Sequence, residues 1–186
     1  MTNKSGDLGA KAETWTADAF RRRGFPHAER RRPEGEYDRG DLAGMIGITC
    51  QVKGGHAAEN ASVNQVIKWM IDVIRQAAEA DRVARKINPG IPDTLAILVC
   101  KAKGVGYPNA GQWWAFITDR TYRRIVGVEG YGLDERPGSD KVIMRMTVDD
   151  LAWLLRLGGW GEPLPADDQG KIIEGVETII GAVERS

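Results

Sequence analysis

The stretch Gly40-Asp41-Leu42-Ala43-Gly44-Met45-Ile46-Gly47-Ile48-Thr49-Cys50-Gln51-Val52-Lys53 decides how this chain is read. An aspartate opens a short strand, a glycine-bearing turn follows, and a returning strand runs to Lys53. Side chains alternate along a strand, so Gln51 and Lys53 share one face. The hairpin thereby gathers a carboxylate, an amide carbonyl and an ammonium at one end. An ammonium beside an oxygen pair is poor core chemistry, because an unpaired buried charge is strongly destabilising. A divalent metal and a phosphate would make sense of it.

Outward from the hairpin, residues 9–23 predict a helix, with Ala12, Trp15, Ala19 and Phe20 at helical spacing and Gly24 at the stop. Glu13 sits beside that apolar stripe, where it can reach inward. A strand is expected near 28–32, then a turn at Pro33-Glu34-Gly35-Glu36, then strands at 41–43 and 47–53. Residues 61–87 predict the clearest helix, with one apolar stripe from Val63 to Ala78 and a capping box of Ser62 and Gln65. A break in it is expected near Asp81. Thr94 to Cys100 is a continuous apolar run, the pattern of a central strand covered on both faces. Strand, helix, strand in this order implies parallel pairing through a right-handed crossover. A loop over 104–111, a strand over 113–118, a short helix over 119–125, a turn-rich loop over 127–138, a strand over 141–146 and a helix over 148–156 follow. Gly158-Gly159 and Pro163-Leu164-Pro165 mark a boundary. Residues 1–157 then form one domain, and 158–186 an extension with an amphipathic helix over 170–184 that docks on the domain or pairs with a second chain; docking is the preferred reading. The order fits an α/β/α sandwich around a central mixed sheet, although many folds share it.

The 186 residues suit a single domain with a substantial core. Net charge is zero, which alone argues against a nucleic-acid partner. The distribution softens this: Arg21-Arg22-Arg23 and Arg30-Arg31-Arg32 lie near the hairpin, while the C-terminal third is acid-rich. A local basic face can bind phosphates on a neutral protein; each cluster reads equally as a solvated face. No apolar run spans a membrane, and the N-terminus lacks the apolar region of a signal peptide, so a cytoplasmic location is expected. Cys50 and Cys100, the two cysteines, fall in core strands and are expected as buried thiols rather than a disulfide. His27 and His56 are the only histidines, so no zinc-ligand spacing exists. Lys103-Gly104-Val105-Gly106 lacks the Walker spacing. Of Trp113 and Trp114, one is expected in the core, while the other is free to stack on a base or a partner.

The Asp41…Gln51-Val52-Lys53 pattern, with Glu13 on the preceding helix, resembles the active-site hairpin of the PD-(D/E)XK nuclease superfamily. It is most similar to the phage and archaeal Holliday-junction resolvases and the Mrr-type nucleases. Lys101-Ala102-Lys103-Gly104-Val105-Gly106-Tyr107-Pro108, followed by Trp113-Trp114-Ala115-Phe116, also resembles phage resolvases. The resemblance implies a restriction-endonuclease-like α/β/α fold and a Mg2+-dependent DNA endonuclease, with Mn2+ as a substitute. Asp41, the Gln51 amide oxygen and the Val52 backbone carbonyl would ligate the metal. Lys53 would orient the attacking water or stabilise developing charge. Glu13 would serve a second metal or position a water. Arg21, Arg31, Lys101 and Lys103 would contact the DNA backbone. The implied substrate is branched DNA cut by a homodimer, in the bacterial host cytoplasm if the protein is phage-encoded. An Mrr-like nuclease on duplex DNA, and a weakened DNA-binding protein with the same fold, are the alternatives. Gln51 stands where most such proteins carry Glu or Asp, which implies weaker metal binding. Asp38 rivals Asp41, but the odd spacing puts the two on opposite strand faces, and Leu42 and Ala43 continue Asp41 into the strand.

Overall fold

The computed structural model describes residues 4–31, 40–127 and 142–165. Within them the elements run α1 (Lys4–Arg22), β1 (Glu29–Arg30), β2 (Leu42–Ala43), β3 (Ile48–Lys53), α2 (Gly55–Glu59), α3 (Val63–Arg85), β4 (Leu95–Cys100), a 3-10 turn (Tyr107–Gln112), β5 (Trp114–Thr118), α4 (Asp119–Ile125), β6 (Ile143–Thr147) and α5 (Val148–Leu157). The expected turn at 33–36, Asp38, most of the loop after Gly127 and the expected helix over 170–184 lie outside the described residues.

β4 is apolar and buried at every position, and the sheet is built around it. β3 lies parallel to it, with Gln51 opposite Leu98 and Lys53 opposite Cys100. β5 pairs antiparallel on its other side, and β6 antiparallel to β5, giving a four-stranded mixed sheet in the order β3-β4-β5-β6. β1 and β2 form a separate antiparallel pair beside β3. Strand alternation divides the core. Ile48, Cys50, Val52, Leu95, Ile97 and Val99 pack with Ala12 and Phe20 of α1 and Leu151 and Leu155 of α5. Ala96, Leu98 and Cys100 pack with Met70, Val73 and Ala77 of α3. The fold is thus mixed α/β, with helices on both faces of the sheet. Each large apolar side chain fully buried this way contributes about 1.5–3 kcal/mol. Cys50 and Cys100 are free, buried thiols in clusters on opposite faces, so the sheet itself separates them.

α3 starts where expected, with the Ser62 hydroxyl accepting from the Gln65 N–H. The expected break near Asp81 is absent: the helix runs on to Arg85. Asp81 is buried, and its carboxylate accepts the Thr94 N–H at 2.9 and 3.1 Å and the Thr94 hydroxyl at 2.5 Å. A charge inside the apolar stripe here fastens the helix to the entry of β4. Asp81→Ala leaves a partly buried N–H without its acceptor and is expected to lower stability by about 2–3 kcal/mol. Urea denaturation measures this, and an unchanged midpoint would show that the junction is held otherwise.

Residues after the expected boundary at 158 return to the body. The Glu162 N–H donates to Gly24 O at 2.7 Å, Arg156 donates to the Glu162 and Pro163 carbonyls at 2.7 Å each, and Leu164 is buried. No helix among the described residues is long and apolar enough to cross a membrane.

Candidate active site

Asp41 enters β2 tied at both backbone groups. Its N–H donates to Cys50 O at 2.8 Å, and its carbonyl accepts from the Arg31 N–H at 2.8 Å. Its carboxylate Oδ2 accepts from the Val52 N–H at 2.6 Å. The bonds to Cys50 and Val52 bracket Gln51, so Asp41 is held beside it. A carboxylate offers about four acceptor sites, and the Val52 N–H fixes the direction of one of its oxygens. Burial pushes the Cys50 thiol well above its ordinary range, and the Asp41 charge adds to this.

Gln51 is 8% exposed, and its Oε1 is buried with no hydrogen-bond partner. An unmet buried acceptor costs about 1–3 kcal/mol, which a bound cation would relieve. The peptide groups of β3 alternate. The Gly47 and Lys53 carbonyls accept from β4 and its exit, through the Leu95 and Lys101 N–H groups at 2.8 and 2.9 Å, whereas the Cys50 carbonyl and Val52 N–H turn to Asp41. The Val52 carbonyl therefore leaves the strand on Asp41's side.

Lys53 ends β3 on the face of Gln51, half-buried, with Nζ 6.0 Å from the centre of the Trp69 ring. Burial pushes the neighbouring Cys100 thiol up to about 12, with the Lys53 charge acting in the opposite direction. Asp41, Gln51, Val52 and Lys53 thus lie towards one end of β3, with Gln51 and Lys53 on one face.

Carboxylate, amide oxygen and main-chain carbonyl are hard oxygen donors that suit Mg2+, and the orphaned Gln51 oxygen is the observation that fits them to a cation. Among the described residues no three His, Cys, Asp or Glu side chains converge, so any metal here would meet few carboxylates.

Glu13 is placed nearby but is engaged. α1 passes directly over the end of β3: a Cβ on Gly54 would stand 2.6 Å from Ala12 Cβ and 3.0 Å from Leu8 O, so glycine is needed for this approach. Glu13 is the next residue along α1, and its Oε2 accepts from Arg30 Nε at 2.6 Å. The ion pair joins α1 to β1.

The four cations expected at a DNA backbone fall in different settings. Lys103 is exposed. Lys101 is 8% exposed, ion-paired to Glu59 and 5.3 Å from the Tyr107 ring centre. Arg21 donates to Ala28 O at 2.6 Å and pairs with Asp18. Arg31 is half-buried, its Nε without a hydrogen-bond partner. Asp38 lies outside the described residues.

Sequence reasoning missed Glu59, on the unexpected helix α2, and the stacking of Lys11 over Tyr107 at 4.5 Å. The hydrogen bond from Lys101 holds the Glu59 carboxyl below its ordinary range, and the charges of Lys101, His56 and Lys103 add to this against partial desolvation. A lysine directly after an apolar central strand was the available signal that a counter-charge lay near. His56 is a surface residue. Trp113 is fully buried, whereas Trp114 is 36% exposed and carries Arg145 over its ring at 4.5 Å. No protein-family model, curated protein or solved structure matches the chain, so the geometry alone bears on its function.

Proposed function

We propose that this protein is a Mg2+-dependent DNA endonuclease of the PD-(D/E)XK type on a restriction-endonuclease-like α/β/α core, cutting branched DNA as a homodimer. The observation that carries the reading is the buried, unpartnered Gln51 oxygen beside a carboxylate aimed by the Val52 N–H, with Lys53 on the same face. Asp41, Gln51 and the Val52 carbonyl would hold the metal, which when bound supplies charge neutralisation and an activated water. Lys53, fixed at the end of a buried strand, would donate to negative charge developing on the phosphoryl oxygens or orient the attacking water. The Glu13–Arg30 pair would hold a guanidinium beside the site, and exposed Lys103 would meet the phosphate backbone. Cutting a junction symmetrically calls for a twofold dimer.

One observation favours a competing reading, a DNA-binding protein that keeps the fold without turnover: Glu13, the second carboxylate, is engaged by Arg30. Cleavage of a labelled four-way junction beside linear duplex and single strand, in Mg2+, Mn2+ and chelator, separates the readings. Paired, metal-dependent nicks confined to the junction are expected. Cutting of linear duplex would make the protein an Mrr-like nuclease, and binding without cutting in either metal would leave a recognition protein.

Gln51→Glu adds a charge to the metal's donor set. It is expected to lower the half-saturating Mg2+ concentration for cleavage about tenfold, equivalent to about 1.4 kcal/mol. An unchanged Mg2+ titration would remove Gln51 from the ligand set.

A further inference from the structure

The outer half of the sheet is unevenly covered. On one face, Ala115 and Ile117 of β5 and Met144 and Met146 of β6 pack with α1 and α5. On the other, register places Phe116 beside Leu98 and Arg145, and Ile143 beside Thr118. α3 lies over β3 and β4, so among the described residues it borders this half of the face rather than roofing it. Its border carries Val63, Ile67 and Ile71, all exposed. Two clefts follow the seam. One of about 500 Å³ is lined by Val63, Ile67, Trp114, Phe116 and Ile143, and one of about 280 Å³ by Ile74, Ala78, Ala96 and Thr118. Together they follow α3 from Val63 to Asp81, about 27 Å at 1.5 Å per residue. A third cleft, lined by Trp160 and Pro163, shares Asp81, Asp93 and Thr94 with the second. The described chain ends two residues beyond Pro163, so the remaining segment starts near the Asp81 end of the groove.

We propose that this groove is the docking site of the chain's own C-terminal segment, with residues 170–184 laid as a helix along α3, antiparallel to it, over β5 and β6. Three observations select this occupant. The first is length: a helix over 170–184 would be about 22 Å long, which the groove accommodates. The second is pattern. Ile172, Ile173, Val176, Ile179, Ile180 and Val183 form a one-sided apolar stripe. With Gly175 and Gly181 inside it, a helix this short is marginal alone and needs a surface to pack on. The third is charge. Residues 166–186 hold five acidic and two basic side chains. Arg85, Arg120 and Arg124 line the Asp81 end of the groove against the two carboxylates of Asp81 and Asp93, which leaves the entry positive where Asp167 and Asp168 would arrive. The link from Pro165 to Gly170 spans at most about 18 Å, so the segment is held at high local concentration, an advantage that a second copy lacks. The proposal is independent of the nuclease reading.

The test is cysteine cross-linking in the full chain with a short bis-maleimide. Cys50 and Cys100 are buried, so added cysteines carry the reaction. Entry at Asp81 brings Ala182, about 18 Å along the docked helix, close to Ile71, about 15 Å along α3 from Asp81. Ile71→Cys with Ala182→Cys is therefore expected to cross-link within one chain, to an extent that does not change on dilution. Adding Ile173→Asp and Ile180→Asp should abolish the link. Ile46→Cys with Ala182→Cys, at a 94% exposed position outside the groove, should link little. No link at Ile71, or a stronger one at Ile46, would overturn the proposal. Links between chains that grow with protein concentration would seat a second copy on this face and overturn it too. Should a cysteine variant fail to fold, hydrogen exchange decides. Ile173→Asp with Ile180→Asp is expected to speed exchange in residues 63–81 and 114–118 relative to wild type, and unchanged exchange there would overturn the docking.

Discussion

Lys53→Ala is expected to lower junction cleavage about a hundred- to a thousand-fold while leaving the fold and DNA affinity near wild type. That magnitude is typical of removing one fixed group that stabilises charge in the transition state. The structure gives the Lys53 side chain little structural work beside the chemical role proposed for it. Its backbone carbonyl, which accepts from the Lys101 N–H at 2.9 Å, survives the substitution. Its side chain is half-buried rather than packed in the core, with Trp69 as an aromatic neighbour, so truncation opens no large cavity. Lys53→Arg should not rescue the rate, because a planar guanidinium does not reproduce a compact ammonium at a fixed point. Single-turnover cleavage rates, set beside anisotropy binding in chelator, check both halves. An unchanged rate would remove Lys53 from the site.

Gly44→Ala is expected to destabilise the protein by about 2–6 kcal/mol and to depress cleavage with it. Gly44 adopts a φ of +75°, in the left-handed region, where a residue with a side chain costs about 1–3 kcal/mol. A Cβ there would also overlap the His27 carbonyl oxygen, which is backbone and cannot swing aside. Overpacking of this kind adds about 1–3 kcal/mol. The strain falls on the β1–β2 pair, where Ala43 is partnered with Glu29 and the Asp41 carbonyl holds the Arg31 N–H. Relief by moving β2 would carry Asp41 away from Val52, so stability and metal-dependent cleavage should fall together. Urea denaturation and an Mg2+ titration of cleavage measure the two. An unaltered denaturation midpoint would contradict the account of this turn.

What was legible in the sequence was what repeats. The stripe from Val63 along α3 and the unbroken apolar run of β4 each state their element through local spacing, and together they forced the parallel β3–β4 pairing that sets the site. Period-two alternation placed Gln51 and Lys53 on one face without any tertiary knowledge. The misses share a different cause, a polar side chain whose partner is distant in the chain. Asp81 read as a helix breaker because its acceptor role toward Thr94, across 13 positions, has no periodic trace. Lys101 read as an open cation because Glu59, 42 positions earlier, neutralises it from a helix too short to announce itself. Glu13 was read as sitting beside the apolar stripe, able to reach inward; its pairing with Arg30 depends on how β1 lies against α1. The exposure of Trp114 depends on where α3 sits over the sheet, which no spacing in β5 encodes.

The proposed function stands on Asp41, Gln51 and the Val52 carbonyl forming a divalent-cation site. An anomalous-difference map from crystals of the protein soaked in Mn2+ tests it most directly. A peak is expected in contact with an Asp41 carboxylate oxygen and with Gln51 Oε1, at roughly the 2.1 Å typical of inner-sphere oxygen coordination by Mg2+. Well-ordered Asp41 and Gln51 side chains with no peak between them, at Mn2+ concentrations that support cleavage, would contradict it.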